Sequence, residues 1–127
     1  MPQSARTEAV PSATRIVWLE TITPDMADDQ GTLPAGDVLR LMGRAALAAA
    51  SRYSNGQVMM TGVSSVRFHR SVPAGHMLEL TAGIIHADAG AMNVLVDGMS
   101  QSRTDGRRTL AFSGYFQVIA ASGGSGG

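Results

Sequence analysis

Apolar positions along this chain change their period twice, and the changes divide it into elements. "TRIVWLETI" (14–22) alternates and is rich in β-branched and aromatic residues, which predicts a strand. "TPDMADDQGTLPAG" (23–36) then gathers turn formers. From Asp37 the spacing becomes three-four, with Val38, Leu41, Ala45, Ala48 and Ala49 on one stripe, and it predicts a helix through Ser54. Asp37 suits the positive helix start, and Gly56 in "SNG" is the expected left-handed cap. Alanines through 45–50 let this helix lie close to a neighbour.

Alternation returns afterwards. "QVMMTGVSSVRF" (57–68), "HMLELTAGIIHAD" (76–88), "AMNVLVDGMSQSR" (91–103) and "RRTLAFSGYFQVIA" (107–120) read as strands. The linkers "DAG" and "TDG" are hairpin signals, so antiparallel pairing is the simplest arrangement of the second half. One strand, one long helix and four strands bury each other best as a sheet wrapped around the helix, an α+β fold. Residues 1–13, polar and with two prolines, read as a flexible N-terminal arm; 14–120 as a single domain; 121–127, "ASGGSGG", as a flexible Gly/Ser tail.

Composition narrows the chemistry. Ten basic and ten acidic side chains cancel in 127 residues, which gives no electrostatic case for nucleic-acid or membrane binding. The absence of cysteine removes disulfides, thiolate ligands and a cysteine nucleophile. His69, His76 and His86 lack metal-helix spacing, so neither a metal nor another cofactor is expected. No apolar run approaches the roughly 20 residues of a membrane span, and the N-terminus does not read as a secretion signal, so the expected location is cytoplasmic.

"GTLPAGDVLRLMGRAALAAASRYS", "VRFHRSVPAGHMLELTAGI" and "GRRTLAFSGYFQVIA", in that order, resemble the hotdog-fold acyl-CoA thioesterases over residues 14–120. The resemblance implies a curved antiparallel sheet around the central helix. It also implies a homodimer with a continuous sheet, assembled further into a tetramer or hexamer, and an acyl-CoA or related thioester bound between protomers. In the helix-start loop, Gly31, Thr32, Leu33, Ala35 and Gly36 match the family pattern, and Asp28 falls at its upstream polar position. The resemblance therefore implies catalytic roles for Asp28, positioning water, and for Gly36, whose amide with that of Ala35 polarises the thioester carbonyl. The plain alternative is a turn with a helix start and a solvated aspartate.

Where the family keeps a helix carboxylate, this chain has Gly43. Three readings stay open. The acid has moved to Asp28, to Asp37 or to Asp88 of the partner subunit; or the pocket binds an acyl thioester or another bulky ligand without hydrolysing it, with Gly43 making room; or the chemistry has diverged. A dehydratase is the weaker family alternative, because no histidine with an acidic partner stands out. Arg40, one turn before Gly43, is a candidate for the same cavity. Phe68, Arg70, Val72 and Gly75 match the family's pocket-shaping turn, with Ser71 in place of proline. Arg67, His69 and Arg70 there, and Arg103, Arg107 and Arg108 at the later turn, suit the phosphates of coenzyme A or else form solvated hairpins. The expected ligand-binding set is Ala35, Arg40, Gly43, Phe68, Arg70 and Arg107.

Overall fold

The computed structural model describes residues 9–121. Strand β1 (Ile16–Thr21) leads through a 3-10 turn at Pro24–Met26 into helix α1 (Ala35–Ser54). Strands β2 (Val58–Phe68), β3 (Met77–Asp88), β4 (Ala91–Gln101) and β5 (Arg108–Ala120) follow. All pairings are antiparallel, in the spatial order β1-β3-β4-β5-β2, so β4 is central and β1 and β2 are the edges. With α1 packed across one face, this is the sheet wrapped around a helix that the pattern of elements predicted and the hotdog fold that the family resemblance implied.

Alternation decides which strand residues meet the helix. Leu78, Leu80, Val94, Val96, Phe112, Phe116 and Val118 are buried on the helix side. Val38, Leu41, Met42, Ala45, Ala46, Ala49 and Ala50 are the buried stripe of α1. Its alanines bring the helix axis near the sheet, while Met42, fully buried, fills the remaining irregular space. Gly98 on β4 serves the same close packing: a Cβ there would lie 2.1 Å from Cζ of Phe112, so only glycine lets that ring lie flat across the strand. The sheet also bends at register shifts, two of them in β2, where Ser65 adopts a positive φ of 53°.

Two local expectations are corrected. The helix begins at Ala35 rather than Asp37, because Pro34 carries a φ of −64° and Val38 N–H can already donate to Pro34 O, at 3.0 Å. The left-handed C-cap is Asn55, with φ 59°, and not Gly56. Asparagine tolerates that conformation, and Gly56 is instead held by its N–H to Ser51 O (3.3 Å) and by the Ser51 hydroxyl donating to its carbonyl (2.8 Å).

Of the stretch expected as an arm, residues 1–8 lie outside the described residues, as do 122–127 of the tail. Residues 9–14 dock on β3. Val10 is buried beside Gly83, and Ile84 N–H donates to the Thr14 hydroxyl at 2.8 Å.

Candidate active site

The loop before α1 is stitched to the segment between β2 and β3. Leu33 N–H donates to Val72 O (2.8 Å) and Ala74 N–H to Gly31 O (2.9 Å), around a bridge between Thr32 and Pro73. This pairing brings the helix start against the end of β2. Between them lies a cavity of about 290 Å³, lined by Leu33, Ala35, Val38, Phe68, Arg70 and Phe112 among others. Phe68 is 51 % exposed, unusual for a ring of its size, and leaves an apolar wall open to a ligand.

Electrostatics favour an electron-rich group here. No side chain caps the start of α1, and its first internal donor is Val38 N–H. The amides of Ala35, Gly36 and Asp37 precede that bond, so they form the positive end of the helix. Arg70 adds a cation to the cavity wall. The segment carrying it is fixed by Ala111 O, which accepts both His69 N–H (2.7 Å) and Arg70 N–H (3.0 Å).

Asp28 stands in the loop with its Oδ1 already engaged. It accepts Gln30 N–H (2.9 Å), Thr32 N–H (3.2 Å) and the Thr32 hydroxyl (3.4 Å). The Thr32 and Gln30 amides, in that order, hold the carboxyl below the usual aspartate value of 3.8. Asp28 is therefore a carboxylate at neutral pH that braces the loop.

Of the residues singled out in the sequence, Ala35, Phe68 and Arg70 come together in this cavity, with Gly36 next along the helix start. The others sit elsewhere, Asp28 among them: it is held in the loop by the Gln30 and Thr32 amides and does not line this cavity. Arg40 pairs with Asp37 at 3.1 Å and lines a separate cavity beside Glu20 and Arg44. Gly43 faces β2, where a Cβ would stand 3.6 Å from Cε of Met60, an ordinary contact distance. The position of the family carboxylate is thus half-buried under a methionine methyl. Arg107 belongs to the β4–β5 turn, its N–H donating to Asp105 Oδ1 at 3.0 Å.

Leu33, from the helix-start pattern, also lines the cavity; Val38 and Phe112 line it too and are not legible as site residues, since each carries only a core signal in the sequence. His69 and His76 have hydroxyl partners, Ser113 at 3.3 Å and Ser100 at 2.8 Å. Among the described residues no group of three or more His, Asp or Glu is placed to hold a metal ion, and no helix is long and apolar enough to cross a membrane.

Comparison with known proteins adds a lineage to this geometry. VdlD of Helicobacter pylori is 22 % identical over 111 residues, which cover 87 % of this chain and 64 % of that protein. An acyl-CoA hydrolase from Agrobacterium tumefaciens superposes with a TM-score of 0.83 at 25 % identity, over 94 % of this chain and 47 % of that one. The apo form of a hexameric acyl-CoA thioesterase gives 0.83 at 27 % identity, over 89 % and 74 %. This chain therefore spans about two thirds of the curated relatives and under half of the Agrobacterium hydrolase. The sequence pattern of the thioesterase superfamily matches residues 30–106, from the helix-start loop to the β4–β5 turn, and the chain belongs to that superfamily.

Proposed function

We propose that this chain binds an acyl-CoA thioester across the start of α1 and hydrolyses it slowly to free coenzyme A and a carboxylate. The observation that supports the reading is the meeting of uncapped helix-start amides with Phe68 and Arg70 around one cavity. The thioester oxygen accepts hydrogen bonds from the Ala35 and Gly36 amides, the acyl or pantetheine arm lies on Phe68, and Arg70 meets a phosphate. Water held by Asp28 gives it one proton and attacks the carbonyl carbon, the C–S bond breaks, the thiolate leaves with that proton, and the carboxylic acid formed loses its own proton to solvent. Arg40, Gly43 and Arg107 complete the proposed ligand-binding set only if the coenzyme extends past Met60 or reaches the β4–β5 turn.

A second reading, binding without turnover, is favoured by Gly43. With Met60 over the position where the family keeps an acid, nothing on α1 can accept a proton there. Single-turnover release of free thiol from butyryl-, palmitoyl- and benzoyl-CoA, together with calorimetric binding, separates the two. Thiol release that falls at least tenfold in Asp28→Asn supports hydrolysis as written. Binding with no thiol released supports the second reading, and no binding of any thioester sinks both.

We also propose a homo-oligomer built through the β2 edge, where Met59, Val63 and Phe68 are exposed. A relative is described as hexameric. Light scattering that gives a monomer mass at micromolar concentration would refute it.

A further inference from the structure

The cavity at the helix start has a floor and a mouth of different character. Leu33, Val38, Val72 and Phe112 form the floor, each at most 5 % exposed, whereas Phe68 and Arg70 are exposed at the mouth. Ala35 precedes Val38 by one helical turn, so the two share a face of α1. An acyl chain whose carbonyl sits on the Ala35 amide therefore starts beside the floor.

The floor has no room to retreat. All four of its side chains belong to the main buried cluster, and a packed interior yields little to an intruding group. Leu33 and Val72 are tied together by Leu33 N–H donating to Val72 O at 2.8 Å. Val38 is fixed on the buried stripe of α1. Phe112 is the most confined of the four. Its ring lies so close over β4 that a Cβ at Gly98 would stand 2.1 Å from Cζ and 2.2 Å from Cε1. The strand blocks the ring from moving back, and an acyl chain that reaches it ends there.

Volume sets the length. At roughly 30 Å³ for each non-hydrogen atom, a cavity of about 290 Å³ holds about ten of them. The carbon, oxygen and sulfur of the thioester take three, which leaves space for about seven more carbons. Further methylenes must turn back past Phe68 into solvent, where they bury no added surface.

We propose that the site selects compact acyl groups, with linear chains of up to about eight carbons, and that Phe112, backed by Gly98, is the residue that sets the limit. The proposal rests on the thioester reading of this cavity and adds to it the class of acyl group.

The test is calorimetric binding of acyl-CoA analogues in which methylene replaces sulfur, from acetyl to dodecanoyl in steps of two carbons. Affinity is expected to rise at least about twofold per methylene through hexanoyl and to stay within about twofold from octanoyl to dodecanoyl. Phe112→Leu shortens the backstop and should move the plateau outward by two carbons or more. Val38→Ala lowers another part of the floor and should move it in the same direction, which keeps the test open if the Phe112 variant does not fold. Urea unfolding of each variant confirms its fold before titration. An affinity that keeps rising from octanoyl to dodecanoyl in the unaltered chain would overturn the proposal and leave the thioester reading standing. So would a plateau that stays in place in the folded variants. Absence of binding by every analogue would sink the thioester reading itself, and the proposal with it.

Discussion

Replacing Gly43 by alanine tests the reading of the missing acid from the stability side. Glycine inside a helix costs about 0.8–1 kcal/mol relative to alanine, because the unfolded chain has more freedom to lose. The added Cβ meets Cε of Met60 at 3.6 Å and no other atom within 4 Å, so nothing must move to admit it. Burying about half a methyl adds roughly 0.4 kcal/mol. Gly43→Ala is therefore expected to stabilise the fold by about 1 kcal/mol, equivalent to some 4 °C in Tm for a domain of this size. Urea unfolding followed by Trp18 fluorescence measures it, since Trp18 is the single tryptophan and lies under Arg44 at 4.9 Å. An unchanged m value with a higher midpoint is the expected result. A variant less stable by 0.5 kcal/mol or more would show that the helix does not pass β2 as described. If the glycine leaves room for ligand, the same variant binds acyl-CoA more weakly while being more stable, a split that simple helix propensity does not produce.

Other consequences follow from single positions. Gly98→Ala drives a Cβ into the fully buried Phe112 ring and should destabilise the fold by about 3 kcal/mol, read by urea unfolding; a loss under 1 kcal/mol would mean that the ring does not cross Gly98. The carboxyl of Asp28 is depressed in the folded chain, so its loop brace is fully present above the unfolded value near 3.8 and is lost as pH falls through the lower folded value. Any Asp28-dependent thiol release should then be flat from pH 5 to 7, with its acid limb below about pH 4, and an inflection near pH 6 would assign the proton acceptor elsewhere. Arg70→Ala should weaken coenzyme A binding by about tenfold in calorimetry. Arg107→Ala changes the β4–β5 turn and should leave that binding within threefold; the reverse ranking would move the phosphate site to the turn.

Much of the fold was legible because one period belongs to each element. The three-four spacing of Val38, Leu41 and Ala45 and the alternation of Leu78, Leu80 and Ala82 locate α1 and β3 within two residues of their observed bounds. Ends were less legible, since Asn55 and Gly56 are adjacent and both tolerate a left-handed conformation; which one adopts it is set by the bonds to Ser51. The sheet order cannot be read from periodicity, because β2 and β5 pair across two intervening strands. The site was half legible. Its helix-start loop and the Phe68–Arg70 turn are local patterns, but their meeting rests on Leu33 pairing with Val72, far apart in sequence. Nothing local shows that Asp28 spends Oδ1 on Gln30 and Thr32, or that Met60 covers Gly43.

The central claim is that a thioester carbonyl is held by the first amides of α1 beside Phe68 and Arg70. Its most direct test is an amide NMR titration with a butyryl-CoA analogue in which methylene replaces sulfur, so that the carbonyl stays and cannot be cleaved. Saturable downfield shifts of the Ala35 and Gly36 amide protons, with Phe68 and Arg70 perturbed at the same midpoint, are predicted. Saturable binding that perturbs residues elsewhere and leaves Ala35 and Gly36 unmoved would contradict it.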